Sequence, residues 1–364
     1  MLIGTFVIAL SMGMAGLALP LYAKDLGATY TEIGMLGVAY VVFDALFSIP
    51  VGRAGDRWGR KPFLVLGFFA TASLLAFYSL ANAVVWLIAL RFVQGATEAP
   101  IWVNAQGAVA DLSATTRRGR AIGAYGTSWG LGFGVGPIIG GVLYVGVGAG
   151  QTFLLSAIVA FLATAIISTV PLPRPKLPGG KPNLSRIWPA CFAGLIYVGV
   201  VSILFTLLPV YATRGLGMSE VQAGFLITLF AGVRAVLFTP LGGLSDRVGR
   251  RPVILAGVIG SSFLSAAIAM VSGFPALAAI ILLLAVAEGA VYPAVVSTVS
   301  RAGEGRNMGY VLGIFNAIAM VGWGLFPGVG GALADAYGPT SPFLMCAVVG
   351  LAAAALLWKL LPRK

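Results

Sequence analysis

Five ionisable side chains interrupt stretches that are otherwise apolar: Asp44, Arg91, Glu98, Arg234 and Glu288. If those stretches are helices in a bilayer, each such residue costs roughly 2.5–3.5 kcal/mol at mid-helix, so it is expected to face a polar cavity and to carry a proton or hold a substrate. The competing reading is a satisfied structural pair, such as Arg91 with a neighbouring acid. Proton chemistry here falls to carboxylates, because the chain has no histidine and unperturbed tyrosine and lysine titrate far too high. At helical spacing, Arg91, Gln94, Glu98 and Trp102 share one face. Glu288 follows Glu98 by 190 residues, with Tyr292 on the same face as Glu288. Asp44 and Arg234 are separated by that same interval and have opposite sign, which leaves a direct pair, a gate contact and a substrate role all open. Glu98 lies two turns from Arg91, whereas Glu288 has no such cation on its own helix and is the easier of the two to protonate.

The elements that must position these residues are membrane helices. A hydrophobic share of 59% with 9% charged residues excludes an ordinary soluble domain. Spans of about 20 apolar residues cross a bilayer, and they read as 2–23, 31–52, 62–81, 84–111, 121–147, 151–172, 187–212, 220–242, 252–272, 275–299, 307–334 and 340–361. The net charge of +12 is one-sided. Lys24 and Arg214 lie on one side and Arg91 and Arg234 within spans, while every other lysine and arginine falls on the opposite side. By the positive-inside rule that side is cytoplasmic, together with both termini, so the basic balance does not call for nucleic acid. Residues 173–186 carry Pro173, Pro175, Pro178 and Pro182 among lysines and arginines, and read as a cytoplasmic tether between bundles at 1–172 and 187–364. Cys191 and Cys346 sit in apolar spans and read as buried free thiols, without a disulfide or a metal site. The first span lacks a basic start and a small-residue cleavage site, and is expected to be a retained helix.

The interval of 190 residues is that of a duplication. Gly52-Arg53-Ala54-Gly55-Asp56-Arg57-Trp58-Gly59-Arg60-Lys61-Pro62 returns as Gly242-Gly243-Leu244-Ser245-Asp246-Arg247-Val248-Gly249-Arg250-Arg251-Pro252. Each copy joins two apolar spans as a charged hairpin, with glycines for close approach and tight turning. Pro137-Ile138-Ile139-Gly140-Gly141 is likewise answered by Pro327-Gly328-Val329-Gly330-Gly331. Two related halves in a chain this apolar mark a two-bundle transporter.

The hairpin phrase resembles the most recognisable motif of the major facilitator superfamily, and the resemblance covers essentially the whole chain. It implies an all-α membrane fold of twelve transmembrane helices in two six-helix bundles, with helices one, four, seven and ten lining the cavity. It also implies a cytoplasmic latch in which Asp56 and Arg60 associate with Asp111 at the end of the fourth helix. In the second copy Asp246 and Arg250 are kept, but Ser300 and Arg301 stand where an acid is expected, so that latch is the poorer one. Arg91-Phe92-Val93-Gln94-Gly95 resembles the family's arginine motif in helix four. Gly132, Gly136, Pro137, Gly140 and Gly141 resemble its glycine–proline element of antiporters, although a plain packing element would repeat in the same way.

The first reading is a proton-coupled exporter of small lipophilic or cationic molecules, working by alternating access. Gln94, Trp102, Tyr125, Tyr197, Tyr292 and Asn316 are its candidate cavity residues, with Trp129 and Trp323 as further aromatic wall. The alternative is a proton symporter or a uniporter for a metabolite or organic anion held by Arg91 and Arg234. An intramembrane enzyme is disfavoured, because histidine is missing and the cysteines are not clustered. The expected partners are substrate, protons and the bilayer. The energy source is a proton gradient rather than a cofactor, and a monomer supplies the complete unit.

Overall fold

A computed structural model describes residues 1–112, 118–172, 187–302 and 308–361, apart from the side chains at 49, 53, 56, 106, 107, 110, 111, 118–123, 239, 242, 243, 246, 297, 300–302 and 308–313. The described chain is helical almost throughout. The elements are α1 (Leu2–Asp25), α2 (Tyr30–Trp58), α3 (Arg60–Tyr78), α4 (Val84–Leu112), α5 (Arg118–Val147) and α6 (Ala149–Thr169). They continue as α7 (Trp188–Thr206), α8 (Glu220–Val248), α9 (Arg250–Ile268), α10 (Phe274–Ala302), α11 (Met308–Tyr337) and α12 (Ser341–Leu360). Twelve spans among the described residues are long and apolar enough to cross a membrane.

Helix ends follow local chemistry. The span expected to reach residue 172 stops at Thr169, because Val170 precedes Pro171 and is extended, with ψ at 121°. The span expected to end at 212 continues beyond α7 through Leu208–Val210 and a π-helical turn, Tyr211–Gly215. Both hairpin motifs are the last turn of one helix and the first turn of the next, separated by a single glycine. Gly59 and Gly249 have φ of 98° and 100°, a conformation that a side chain would strain. The hairpin is thus tighter than a loop, and Arg57, Arg60, Arg247 and Arg250 are all helical. Arg251 donates to the Trp358 carbonyl and lies 4.7 Å above its ring, tying α9 to α12. Lys61 occupies the first turn of α3. The side chains of Asp56, Asp111 and Asp246, together with Gly242, lie outside the described set, as do residues 173–186 and the side chains of Ser300 and Arg301.

The chain forms two compact units that exchange helix ends. The first comprises 1–28, 38–177 and 219–228; the second comprises 29–37, 178–218 and 229–364. Within the first, α1 packs on α5 and α6, and α3 on α4 and α6. Within the second, α7 packs on α11, and α9 on α10 and α12.

The exchanged ends are held by backbone crossings at glycine. In the first unit, a Cβ at Gly224 would meet the Pro137 carbonyl and one at Gly141 the Glu220 carbonyl, while the Ile138 N–H donates to Thr228 Oγ at 3.1 Å. In the second unit, Gly34 lies against the Pro327 carbonyl and Gly331 against that of Tyr30. Thr29 with Glu32, and Ser219 with Gln222, form reciprocal capping boxes at the two helix starts.

One device of the second unit has a residue without a carboxylate at the corresponding place in the first. The Asp335 carboxylate accepts from the Tyr30 and Thr31 N–H groups at 2.9 and 2.7 Å and from the Thr31 hydroxyl at 2.6 Å. It caps the start of α2, where the helix dipole favours negative charge; Val145 occupies the corresponding position of the first half. Asp335→Ala is expected to destabilise the protein by about 1–3 kcal/mol, read as a lower midpoint of thermal unfolding in detergent. An unchanged midpoint would show that water replaces the carboxylate without loss.

Candidate functional site

Helix α4 carries the expected stripe, and the structure ties it together. Arg91 Nη1 donates to Gln94 Oε1 at 2.8 Å, and Gln94 Nε2 donates to Glu98 Oε1 at 2.6 Å. Gln94 thus links Arg91 to the acid through its amide. Two tyrosines complete the network. Tyr78 on α3 donates to Gln94 Oε1 at 2.7 Å, and Tyr40 on α2 donates to Glu98 Oε2 at 2.9 Å. Trp102 Nε1 in turn donates to the Tyr40 hydroxyl at 3.1 Å, and the Arg91 guanidinium lies 4.9 Å from the Tyr40 ring centre. Both oxygens of Glu98 are thus used as acceptors, although the residue is buried. Gly95 makes this possible: a Cβ there would strike the Tyr40 carbonyl, so only glycine brings α2 close enough.

Tyr40 and Tyr78 were not singled out from the sequence. Tyr40 stands one helical turn before Asp44, the one local signal that could have found it. Tyr40→Phe would leave Glu98 Oε2 and the Trp102 indole each short of a partner. A loss of about 1–3 kcal/mol is expected, with a change in Trp102 fluorescence; full stability with unaltered emission would exclude the network described.

Around Glu288 the same framework is built from different atoms. The positions corresponding to Tyr40 and Gln94 are Phe230 and Leu284, which have neither hydroxyl nor amide. Glu288 is 1% exposed, the Ser261 hydroxyl of α9 lies beside it, and its Oε2 has no hydrogen-bond partner among the described residues. Arg234 on α8 is set among rings: its guanidinium carbon is 4.7 Å from the centre of Phe230 and 5.8 Å from those of Tyr197 and Phe238. Its Nε and Nη1 also lack hydrogen-bond partners among the described residues. Tyr292 stacks on Tyr197 with ring centres 5.5 Å apart and meets Phe238 at 5.3 Å.

The remaining candidates divide between the units. Asp44 is buried in the first unit with Oδ1 unpartnered among the described residues, while its counterpart Arg234 belongs to the second. Trp102 packs on Trp129 at 4.1 Å between ring centres, and Tyr125 is buried on α5. Trp323 meets Phe205 at 6.0 Å. Asn316 is half-buried on α11, with no hydrogen bond to either cluster among the described residues. The glycine element of α5 is a packing surface. Gly132, Gly136 and Gly140 lie against the α1 backbone at Phe6, Gly13 and Met14, while Pro137 and Gly141 meet α8.

The chain belongs to the Major Facilitator Superfamily, whose profile matches residues 1–211 and 190–364. It is 26% identical to an uncharacterized MFS-type transporter of Methanocaldococcus jannaschii, over 96% of this chain and 94% of that protein. It is 25% identical to the multidrug resistance protein MdtG of Enterobacter lignolyticus, over 96% of this chain and 88% of the relative. In fold it is similar to a bacterial homolog of the human lysosomal transporter Spinster, solved in an inward-facing and occupied conformation. That match has a TM-score of 0.84 at 18% identity, with 98% of this chain and 94% of the other covered. The protein is thus a secondary transporter of small molecules, a multi-pass protein of the plasma membrane with the twelve-helix major facilitator fold.

Proposed function

We infer that this transporter is a proton-coupled antiporter that exports small lipophilic or cationic organic molecules by alternating access. The observation that carries the reading is Glu288, a mid-helix carboxyl buried with one oxygen unpartnered in a chain without histidine. Such a group has room for a proton or for a cationic substrate, but not for both, and that exclusion is the basis of antiport. Asp44 offers a second open oxygen. The relative named as a multidrug resistance protein supports the substrate class.

In this reading both termini and the 173–186 tether are cytoplasmic, following the one-sided lysines and arginines. Asp56, Arg60 and Asp111 latch the cytoplasmic side, more strongly than Asp246 with Arg250. The proton gradient is the sole energy source, and one chain is the working unit. A second reading, symport or uniport of an organic anion, draws on the unpartnered donors of Arg234. Proton movement in everted vesicles separates the two. Addition of substrate to energised vesicles should release protons from the lumen under antiport. Proton movement in the same direction as the substrate would establish symport instead, and substrate movement without protons would establish uniport.

A further inference from the structure

We propose that the second unit binds a flat aromatic zwitterion, with the acidic group at Arg234 and the basic group at Glu288. The proposal rests on the reading of this chain as a small-molecule transporter and names the class of molecule that its second unit takes.

Unused hydrogen-bonding capacity is unevenly distributed in the molecule. Glu98 itself is satisfied within the protein, with Gln94 and Tyr40 occupying both carboxyl oxygens, although Asp44 nearby keeps an Oδ1 unpartnered among the described residues. Around Glu288 the corresponding donors are replaced by Phe230 and Leu284. One carboxyl oxygen there and two guanidinium nitrogens of Arg234 are buried without a hydrogen-bond partner among the described residues. A buried polar atom without a partner is costly and is expected to be satisfied by something outside the chain. Arg234 Nε and Nη1 are donors that match a carboxylate or a related oxyanion. Glu288 Oε2 matches an ammonium or another N–H donor.

While both residues are ionised, charge favours a zwitterion over a single-charged ligand. Ionised Arg234 and Glu288 sum to zero, so a lone anion or a lone cation adds an uncompensated charge to an apolar surrounding. A zwitterion adds none and pairs both ends. The walls set the middle of the ligand. Phe238 and Tyr292 are only half-buried, and their tilted pair at 5.3 Å leaves ring surface on which a flat aromatic body can stack. The guanidinium lies among Phe230, Tyr197 and Phe238, which hold it in place while its Nε and Nη1 stay open.

The test uses three ligands built on one ring: naphthalene-2-carboxylate, 2-naphthylmethylammonium and 6-(aminomethyl)naphthalene-2-carboxylate. Binding to the full-length protein in lipid nanodiscs is measured by calorimetry at fixed pH with no gradient. The zwitterion is expected to bind at least about tenfold more tightly than either single-charged ligand, the scale of one additional charge-assisted contact. Arg234→Gln should bring the zwitterion down to the affinity of the ammonium ligand, and Glu288→Gln down to that of the carboxylate. Misfolding would weaken all three together and cannot produce that crossed pattern; Arg234→Lys, which keeps the charge, should lie between wild type and Arg234→Gln. Equal affinities in the wild type, no binding of the zwitterion, or a zwitterion affinity indifferent to Arg234 would each overturn the proposal. Because no gradient is present, failure of proton coupling leaves these readings intact, and their failure leaves proton coupling to be judged by the vesicle assay.

Discussion

Glu288→Gln should abolish transport driven by a pH gradient while leaving a folded, inserted protein. Glutamine keeps the shape and one hydrogen-bonding oxygen but cannot take up or release a proton. The expected loss in gradient-driven uptake by proteoliposomes is on the order of 100-fold, the scale of removing a group that must transfer a proton. Glu98→Gln should also lower transport, but for a different reason. Both Glu98 oxygens accept hydrogen bonds from Gln94 and Tyr40, so an amide there sets its own N–H groups against a donor. That variant should therefore lose thermal stability as well as rate, whereas Glu288→Gln should keep its thermal stability. Normal gradient-driven uptake by Glu288→Gln would remove this carboxyl from the coupling mechanism.

The other large effect is expected at Gly95. A side chain there would occupy the position of the Tyr40 carbonyl and crowd the Asp44 N–H. Relief requires α2 to move away from α4, and that movement pulls Tyr40 off Glu98. Gly95→Leu should prevent accumulation of folded protein, or leave a species unfolding at much lower temperature, because backbones in a packed interior do not yield to an inserted side chain without rearrangement. Gly16→Ala and Gly232→Ala are the controls, since a Cβ at either site meets nothing within 4 Å. Size-exclusion profiles and unfolding midpoints of the three variants check the prediction. Wild-type behaviour of Gly95→Leu would mean that the α2–α4 crossing is looser than described.

Much of this protein is legible along the chain, because a bilayer imposes simple rules on sequence. Apolar runs of spanning length, basic residues gathered on one side and a motif repeated at 190 residues are each local or periodic patterns. They lead to twelve helices in two related halves. The five intramembrane charges were visible for the same reason, as costly exceptions in apolar surroundings. Helical spacing alone placed Arg91, Gln94, Glu98 and Trp102 on one face, and hydrogen bonds from Arg91 to Gln94 and from Gln94 to Glu98 run along it.

By itself the sequence determined which residues are ionisable at membrane depth, paired Glu98 with Glu288 by their common interval, and set them apart only by the cation on the helix of Glu98. The tertiary structure decided how the oxygens of each are satisfied. Tyr40 reaches Glu98 from α2 because Gly95 lets two backbones meet, and Phe230 stands at the corresponding place with no hydroxyl to offer. Likewise, nothing along the chain announced that Asp335 would cap the start of α2, more than three hundred residues earlier. The physical reason is common to both cases. Insertion into a membrane responds to the summed polarity of one helix, whereas satisfying a buried oxygen requires one donor from another helix at hydrogen-bond distance, and only the packing of helices sets that distance.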